Sequence, residues 1–198
     1  MKRAALGFRM HSGWGVLVAV SVNANSIEVL ERRRMAVTAP GNPGVNQPYH
    51  YAAKLETAKS ESHIANCLAS SERLALAAIE ELVRDLQERA YRIVGSAVLL
   101  ASGRALPPLT KILASHPLIH TAEGEFFREV VRKACERLKI PVTAIREREL
   151  DVQARATFGN DASRWQRRIS GMGTSLGPPW TKDHKSAALA AFMVLARK

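Results

Sequence analysis

The chain has 198 residues, 46% of them hydrophobic and 24% charged, which is ordinary for a globular protein and fits one domain, residues 1–198, with one substantial core. No stretch approaches the roughly 20 apolar residues of a membrane-spanning helix, so a membrane protein is excluded. The net charge of +11 lies mostly in the second half, because residues 1–99 carry 12 basic and 9 acidic groups and residues 100–198 carry 17 and 9. Such a field favours polyanions, nucleic acid first, although a solvated basic surface is the plainer alternative.

The first third of the chain predicts three β-strands. They are rich in Val, Ile and Leu and are separated by turn-forming residues, and we place them at 4–10, 14–22 and 27–37. Links this short make neighbouring strands antiparallel, so the three form a meander. The segment 38–48 contains three prolines and two glycines and is predicted to be a flexible loop.

The rest of the chain alternates between helical and strand patterns. Apolar residues at helical spacing predict helices at about 50–58, 70–90, 121–138 and 186–196, with one helical turn at 107–115. Ser70-Ser71 and Thr121 are the predicted caps of two of these helices. Apolar runs predict strands at 92–101 and 140–145. A polar, arginine-rich segment covers 146–169, and a glycine-rich flexible loop covers 170–180.

The predicted element order is β-β-β-α-β-α-β-α, an α/β arrangement. Three antiparallel strands followed by two crossover units imply a mixed five-stranded sheet with helices on both faces. This order resembles the ribonuclease H-like fold, and within it the RuvC-type Holliday-junction resolvase branch. The specific motifs are Gly7-Phe8-Arg9 with Gly13-Trp14-Gly15-Val16-Leu17, similar to that group's first hairpin, and Lys182-Asp183-His184-Lys185 leading an alanine-rich helix.

The resemblance implies phosphodiester hydrolysis by two divalent cations, Mg²⁺ or Mn²⁺, held by a cluster of carboxylates. Hard cations of this kind take oxygen ligands. Asp183 matches the acid of the family's last helix, but the first-strand position holds Arg9, or His11 if the turn is shifted. The central-strand position, Ala101 to Arg104, also lacks an acid. We therefore expect a degenerate metal site.

Glu123 is the best remaining acid, because it continues the buried stripe of the helix at 121–138. If the protein is an enzyme, the catalytic residues are Asp183, Glu123 and His11, with Asp183 and Glu123 holding the cation. For both carboxylates the alternative is a structural role at the positive end of a helix.

His116 and His120 have the i, i+4 spacing of metal ligands, but Pro117 disfavours helical geometry for His116, so the imidazoles need not share a face. An HxxxH pair is also typical of the threonylcarbamoyl-transfer branch of the actin-like ATPases, whose other phosphate loops are not evident in this sequence.

Basic residues near the end of the chain are the predicted nucleic-acid contacts. They are joined by Trp165 and Phe158, which can stack on bases. The predicted set is Arg9, Arg164, Arg167, Arg168, Lys182 and Lys185. The glycine loop Ser170 to Gly177 could cradle a phosphate, but it lacks the Gly-Lys-Ser/Thr ending of a nucleotide-binding loop.

Three hypotheses remain from the sequence. The first is a nucleic-acid-binding ribonuclease H-like protein with a degenerate metal site, the second a divalent-metal-dependent nuclease, and the third a structural or partner-binding domain. Cys67 and Cys135 have neither pairing nor metal spacing, so we expect a reducing, cytoplasmic compartment. A homodimer is left open.

Overall fold

One mixed β-sheet organises the molecule. The computed structural model describes residues 1–23, 26–101 and 105–197. The strands are β1 (Lys2–His11), β2 (Trp14–Asn23), β3 (Ser26–Ala36), β4 (Tyr91–Leu100) and β5 (Val142–Arg146). Their order across the sheet is β3-β2-β1-β4-β5. The first three strands pair antiparallel, and β4 and β5 join them in parallel. The predicted five-stranded mixed sheet is therefore confirmed, with every strand boundary within two residues of the prediction.

Eight helices follow or flank the strands in the described residues. They are α1 (Pro48–Ala52), α2 (Thr57–Glu88), α3 (Leu109–Leu113), α4 (His116–Arg137), α5 (Leu150–Phe158), α6 (Ala162–Gly171), α7 (Gly173–Leu176) and α8 (Lys182–Ala196). Two single 3₁₀ turns lie at Glu147–Glu149 and Gly159–Asp161. None of these helices is long and apolar enough to cross a bilayer.

Three predicted helix starts are wrong, and one of them is that of α8, which begins at Lys182 and not at 186. Helix α2 begins at Thr57 and runs through Ser70-Ser71, whose hydroxyls resemble a cap only in sequence, since Ser71 is buried inside the helix. Helix α4 begins at His116, because proline is well tolerated in a first helical turn, where its missing N–H has no intrahelical partner anyway. Thr121 lies inside that helix and its hydroxyl donates to the carbonyl of Pro117 at 3.0 Å.

The two segments predicted without regular structure are partly helical. The arginine-rich segment 146–169 contains α5 and most of α6, and the glycine-rich segment 170–180 contains α7. Arg32 of β3 holds this second segment, because its guanidinium donates to the carbonyl oxygens of Leu176, Gly177 and Pro179 at 2.6–2.7 Å. These carbonyl oxygens face the guanidinium of Arg32. This part of the loop therefore presents acceptors as well as amide donors, which does not suit a phosphate cradle.

Hydrophobic cores lie on both faces of the sheet. On one face, Leu6 and Phe8 of β1 pack with α2 and α4. On the other face, Ala5 of β1 packs with α8. Helix α8 carries an alanine-rich face that approaches β1 closely. A Cβ added to Gly7 would lie 1.9 Å from the carbonyl oxygen of Ala187. This close approach, together with the start of α8, brings the amino end of α8 to the carboxyl end of β1.

Candidate phosphate-binding site at the strand ends

The candidate site lies where the parallel strands end. In open α/β sheets, ligands bind in the crevice beyond the carboxyl ends of such strands. Strand β1 ends with Arg9 and His11, the chain leaves β5 directly into Glu147, and Asp183 stands in the first turn of α8. The sheet and its close contact with α8 therefore collect four polar side chains from three distant parts of the sequence.

Arg9 is the centre of this group. Its guanidinium contacts both carboxylate oxygens of Glu147, at 3.1 and 3.2 Å from Nη2. Nη1 lies 3.1 Å from Oδ1 of Asp183. The arginine side chain is 21% exposed, and its two partners are 30% and 22% exposed. Arg9 thus pairs with both carboxylates.

His11 completes what we call the Arg9 network (Arg9, His11, Glu147 and Asp183). Its Nε2 atom lies 2.8 Å from Oδ2 of Asp183 and 2.8 Å from Nη1 of Arg9. These two contacts are alternatives as hydrogen bonds, because Nε2 donates to the carboxylate only when protonated and accepts from arginine only when bare. The ring also stacks on Trp14, with centroids 4.3 Å apart and an interplanar angle of 17°.

The amino end of α8 is fixed by a local contact between Thr181 and His184. The Thr181 amide donates to Nδ1 of His184 at 3.3 Å, and the Thr181 hydroxyl lies 2.8 Å from the same atom. Because Nδ1 accepts from the amide, the neutral ring carries its hydrogen on Nε2. Burial lowers the pKa of His184, as does the nearby charge of Arg32, while Asp183 opposes them.

Glu123 lies apart from Asp183. Its Oε1 atom accepts hydrogen bonds from the amides of Tyr49 and His50, each at 2.9 Å, and contacts Nδ1 of His50 at 3.1 Å. Oε2 is buried without a hydrogen-bond partner among the described residues. Burial raises the pKa of Glu123, and its bonds to His50 and Tyr49 work against that rise.

A cleft of about 260 Å³ separates Glu123 from the Arg9 network. We call it the strand-end cleft, and the residues that line it include Arg9, His11, His50, His120, Glu123 and Arg128. The proposed catalytic trio is thus only partly assembled: the structure brings His11 and Asp183 into contact and places Glu123 on the cleft. Among the described residues, Asp183, Glu123 and His11 do not form a group whose ligand atoms lie within 4.8 Å of one another.

Arg128 of α4 is the second arginine on the cleft. Its Nε donates to the carbonyl of Leu99 at 3.0 Å, which anchors the side chain to β4. Nη1 is buried without a hydrogen bond within the described chain, at 3.6 Å from Glu125. Burial lowers the pKa of Arg128, and so does the charge of Arg9, while the carboxylates of Glu125 and Glu147 raise it. An arginine has ample margin to stay charged, so this atom is a charged donor whose neighbouring carboxylate oxygen, Oε1 of Glu125, also lacks a hydrogen bond among the described residues.

These residues do not fit the two-cation carboxylate site that the resemblance implied. A Mg²⁺ ion demands near-ideal octahedral oxygen ligands and is bound through carboxylates free to face it. Here Asp183 and Glu147 both face the guanidinium of Arg9 instead. The central-strand position falls partly on 102–104, which lie outside the described residues.

The other predicted nucleic-acid contacts flank a second depression. Lys182 and Lys185 line a groove of about 370 Å³ between α5, α6 and α8, which we call the lysine groove. Arg164, Arg167 and Arg168 are exposed on α6, which forms part of the opposite wall. Two of these arginines contact polar groups of the described residues: Arg164 lies 3.8 Å from the carboxylate of Asp161, and Arg168 donates to the hydroxyl of Ser26. Phe158 and Trp165, predicted to stack on bases, instead pack on Phe192 in the core.

Three site residues escaped the sequence argument. Glu147 lies two residues after the end of the predicted strand at 140–145, so its place near a strand end was a signal available in the sequence. Arg128 lay within a helix whose polar positions all look alike. His50 had no motif of its own.

Comparison with known proteins identifies the fold. No protein-family model matches the chain, and a search of curated proteins finds no match. Among solved structures, RuvC from Thermus thermophilus matches with a TM-score of 0.52 and 15% identity, over 96% of this chain and 91% of that one. The T. thermophilus RuvC in complex with a Holliday junction substrate matches with a TM-score of 0.53 and 12% identity over the same shares. The chain therefore has a ribonuclease H-like fold of the RuvC type.

Proposed function

We propose that this protein binds nucleic acid at the strand-end cleft and along the adjoining basic surface, without a cation held by Asp183 and Glu147. The observation that carries the proposal is the pair of arginines on the cleft. Arg9 and Arg128 both line it. The guanidinium of Arg9 is paired with Glu147 and Asp183, whereas Arg128 keeps a buried Nη1 donor without a hydrogen bond among the described residues. Guanidinium groups recognise phosphate oxygens by paired hydrogen bonds, so such a cleft favours a phosphate over a metal ion.

The surface around the cleft supports a polymer rather than a single phosphate. Lys182 and Lys185 belong to the same first turns of α8 as Asp183, so the lysine groove adjoins the Arg9 network. The exposed arginines of α6 extend the positive surface beyond that groove. A positive surface of this extent suits a nucleic-acid backbone, which presents several phosphates in a row.

An aromatic surface lies on the other side of Asp183. Trp14 stacks with His11, and the guanidinium of Arg34 lies 4.3 Å from the Trp14 ring centre. His11 and Arg34 both cover the tryptophan ring, so the exposed guanidinium of Arg34, not the ring, is the group that this surface offers to a phosphate. The solved structure of T. thermophilus RuvC with a Holliday junction motivates branched DNA as the first ligand to try.

The test is binding and cleavage measured on the same labelled four-way junction. Fluorescence anisotropy in EDTA reports binding, and gel electrophoresis after incubation with Mg²⁺ or Mn²⁺ reports cleavage. Linear duplex and single strands of the same sequence complete the set. We expect binding in EDTA that added Mg²⁺ does not strengthen, and no cleavage.

Two outcomes would overturn the proposal. Cleavage that needs Mg²⁺ or Mn²⁺ and disappears in Asp183→Asn would establish a nuclease in its place. Absence of binding to all three DNA forms and to the matching RNA forms would leave a structural or partner-binding domain.

A further inference from the structure

Three histidines meet beside the strand-end cleft. His50 of α1 and His116 and His120 of α4 each offer a ring nitrogen, and these three atoms lie within 4.8 Å of one another. The ring centroids are 4.4 Å apart for His116 and His120, 4.7 Å for His50 and His120, and 5.6 Å for His50 and His116. We call this group the histidine cluster.

The start of α4 makes the cluster possible. Because the helix begins at His116, with Pro117 in its first turn, His116 and His120 lie one turn apart on the same face. The shared face of the two imidazoles, which the sequence left open because of Pro117, is therefore present in the structure. Both side chains are exposed, so their rings can rotate toward a shared ion without displacing core residues.

Glu123 orients the third histidine. Its Oε1 atom lies 3.1 Å from Nδ1 of His50 and also accepts the His50 amide. A carboxylate at Nδ1 places the ring hydrogen there and leaves the lone pair on Nε2. The same arrangement, in which a carboxylate accepts from one ring nitrogen while the other binds metal, is general among metal-binding histidines. Glu123 is therefore a positioning residue for the cluster.

We propose that His50, His116 and His120 bind one transition-metal ion of the Zn²⁺ class. Imidazole nitrogen suits zinc and its neighbours, whereas Mg²⁺ prefers oxygen. Bonds of about 2.0–2.1 Å in tetrahedral geometry put the ligand nitrogens about 3.3 Å apart, so small rotations of the exposed rings complete the site. Three protein ligands leave a fourth position, which water or a phosphate oxygen can fill. His50 and His120 also line the strand-end cleft, so this position adjoins Arg9 and Arg128.

His50 and His120 also line the cleft of the proposed nucleic-acid binding, but the two proposals can fail separately, because Zn²⁺ binding is measured without DNA. The described residues also hold close pairs of zinc-ligand types, among them His11 with Asp183 and His63 with Cys67, whose Nε2 and Sγ atoms are 3.5 Å apart. Two ligands hold zinc less well than three. The second pair provides a matched control, since His63→Ala removes a histidine from α2 and leaves the cluster intact.

The test is Zn²⁺ titration of metal-free, chelator-treated protein by calorimetry at neutral pH, followed by visible spectroscopy with Co²⁺. We expect one Zn²⁺ per chain and the intense visible bands of tetrahedral Co²⁺. His116→Ala and His120→Ala should each weaken Zn²⁺ binding by about 100-fold or more, beyond the about 10–100-fold cost of an outer-shell change. Glu123→Gln keeps an acceptor for His50 but loses the charge, and should weaken binding about 10-fold. His63→Ala should bind as the wild type does.

The exposed ligands keep the test decisive. His116→Ala and His120→Ala replace surface side chains, so circular dichroism should show an unchanged fold even if His50→Ala does not fold. The proposal is overturned if the His116→Ala/His120→Ala double variant binds one Zn²⁺ as tightly as the wild type. It is equally overturned if His63→Ala abolishes binding, or if the wild type shows no one-to-one binding in the micromolar range.

Discussion

Replacing Arg9 by methionine tests whether this arginine is the internal counter-ion of the site. The change keeps a long, flexible side chain and removes the charge. In the wild type, Arg9 contacts Glu147 at 3.1 Å and Asp183 at 3.1 Å. Without it Glu147 and Asp183 lose the cation between them.

The expected loss in the free energy of unfolding lies between two reference cases. A fully exposed ion pair is worth about 0.2–1 kcal/mol, and removing one partner of a buried pair costs about 3–5 kcal/mol. Arg9 is 21% exposed, and its partners are 22% and 30% exposed. An intermediate cost of about 2–3 kcal/mol follows. For a chain of this length, about 2–4 °C accompanies each kcal/mol, so Tm should fall by about 4–12 °C.

Thermal unfolding by circular dichroism measures this effect, with and without Mg²⁺. Because Arg9→Met leaves two carboxylates without their cation, Mg²⁺ should raise the Tm of the variant and leave that of the wild type unchanged. Arg148→Met is the matched control: its side chain is 70% exposed, and its loss should stay within about 0.5 kcal/mol. Equal Tm values for Arg9→Met and Arg148→Met would refute the counter-ion role.

Two further predictions concern the helix that carries Asp183. Gly7→Ala should cost at least about 3 kcal/mol in urea unfolding, because its Cβ would meet backbone of α8 at 1.9 Å. The control Gly171→Ala, with nothing within 4 Å of the new Cβ, should be neutral or stabilising by up to about 1 kcal/mol, and equal losses would contradict the packing argument. His184 has a pKa below its ordinary 6.5 through burial and the charge of Arg32. Between the pKa of the folded state and that of the unfolded state, the unfolded chain binds more protons than the folded one. The contribution of His184 to the free energy of unfolding is therefore complete above pH 6.5 and declines as the pH falls. Urea unfolding at several pH values should show this decline in the wild type and a shallower one in His184→Gln, and identical slopes would count against it.

The sheet could be predicted because its signals are local. Apolar runs separated by turn-forming residues mark the strands, and the predicted and observed boundaries differ by two residues at most. The helix starts were harder, since Ser70-Ser71 and Thr121 have the composition of caps without their backbone conformation. A cap residue specifies a helix start only when the preceding chain is not itself helical.

The site could be predicted only in part. The likeness of the first hairpin and last helix to the RuvC-type branch implied that Arg9 and His11 meet Asp183, and the structure places them in contact. Glu147 and Arg128 could not be chosen by periodicity, because side-chain reach across a sheet end is a long-range property. The histidine cluster depends on a short helix after a proline-rich loop, whose position no local pattern fixes.

The salt dependence of DNA binding tests the central claim most directly. Each phosphate contact contributes about 0.9 to the slope of log K against log salt concentration, because binding releases counter-ions. The test variant is Arg164→Gln/Arg167→Gln/Arg168→Gln on α6. The matched control removes three exposed arginines that lie on other elements: Arg73 and Arg84 of α2 and Arg92 of β4.

Anisotropy titrations of the labelled junction in EDTA, over a series of salt concentrations, give the slope for each protein. We predict a steep slope for the wild type, a slope smaller by up to about 3 for the α6 variant, and a control that keeps the wild-type slope. A wild-type slope near zero, or equal slopes for the α6 variant and the wild type, would contradict the account.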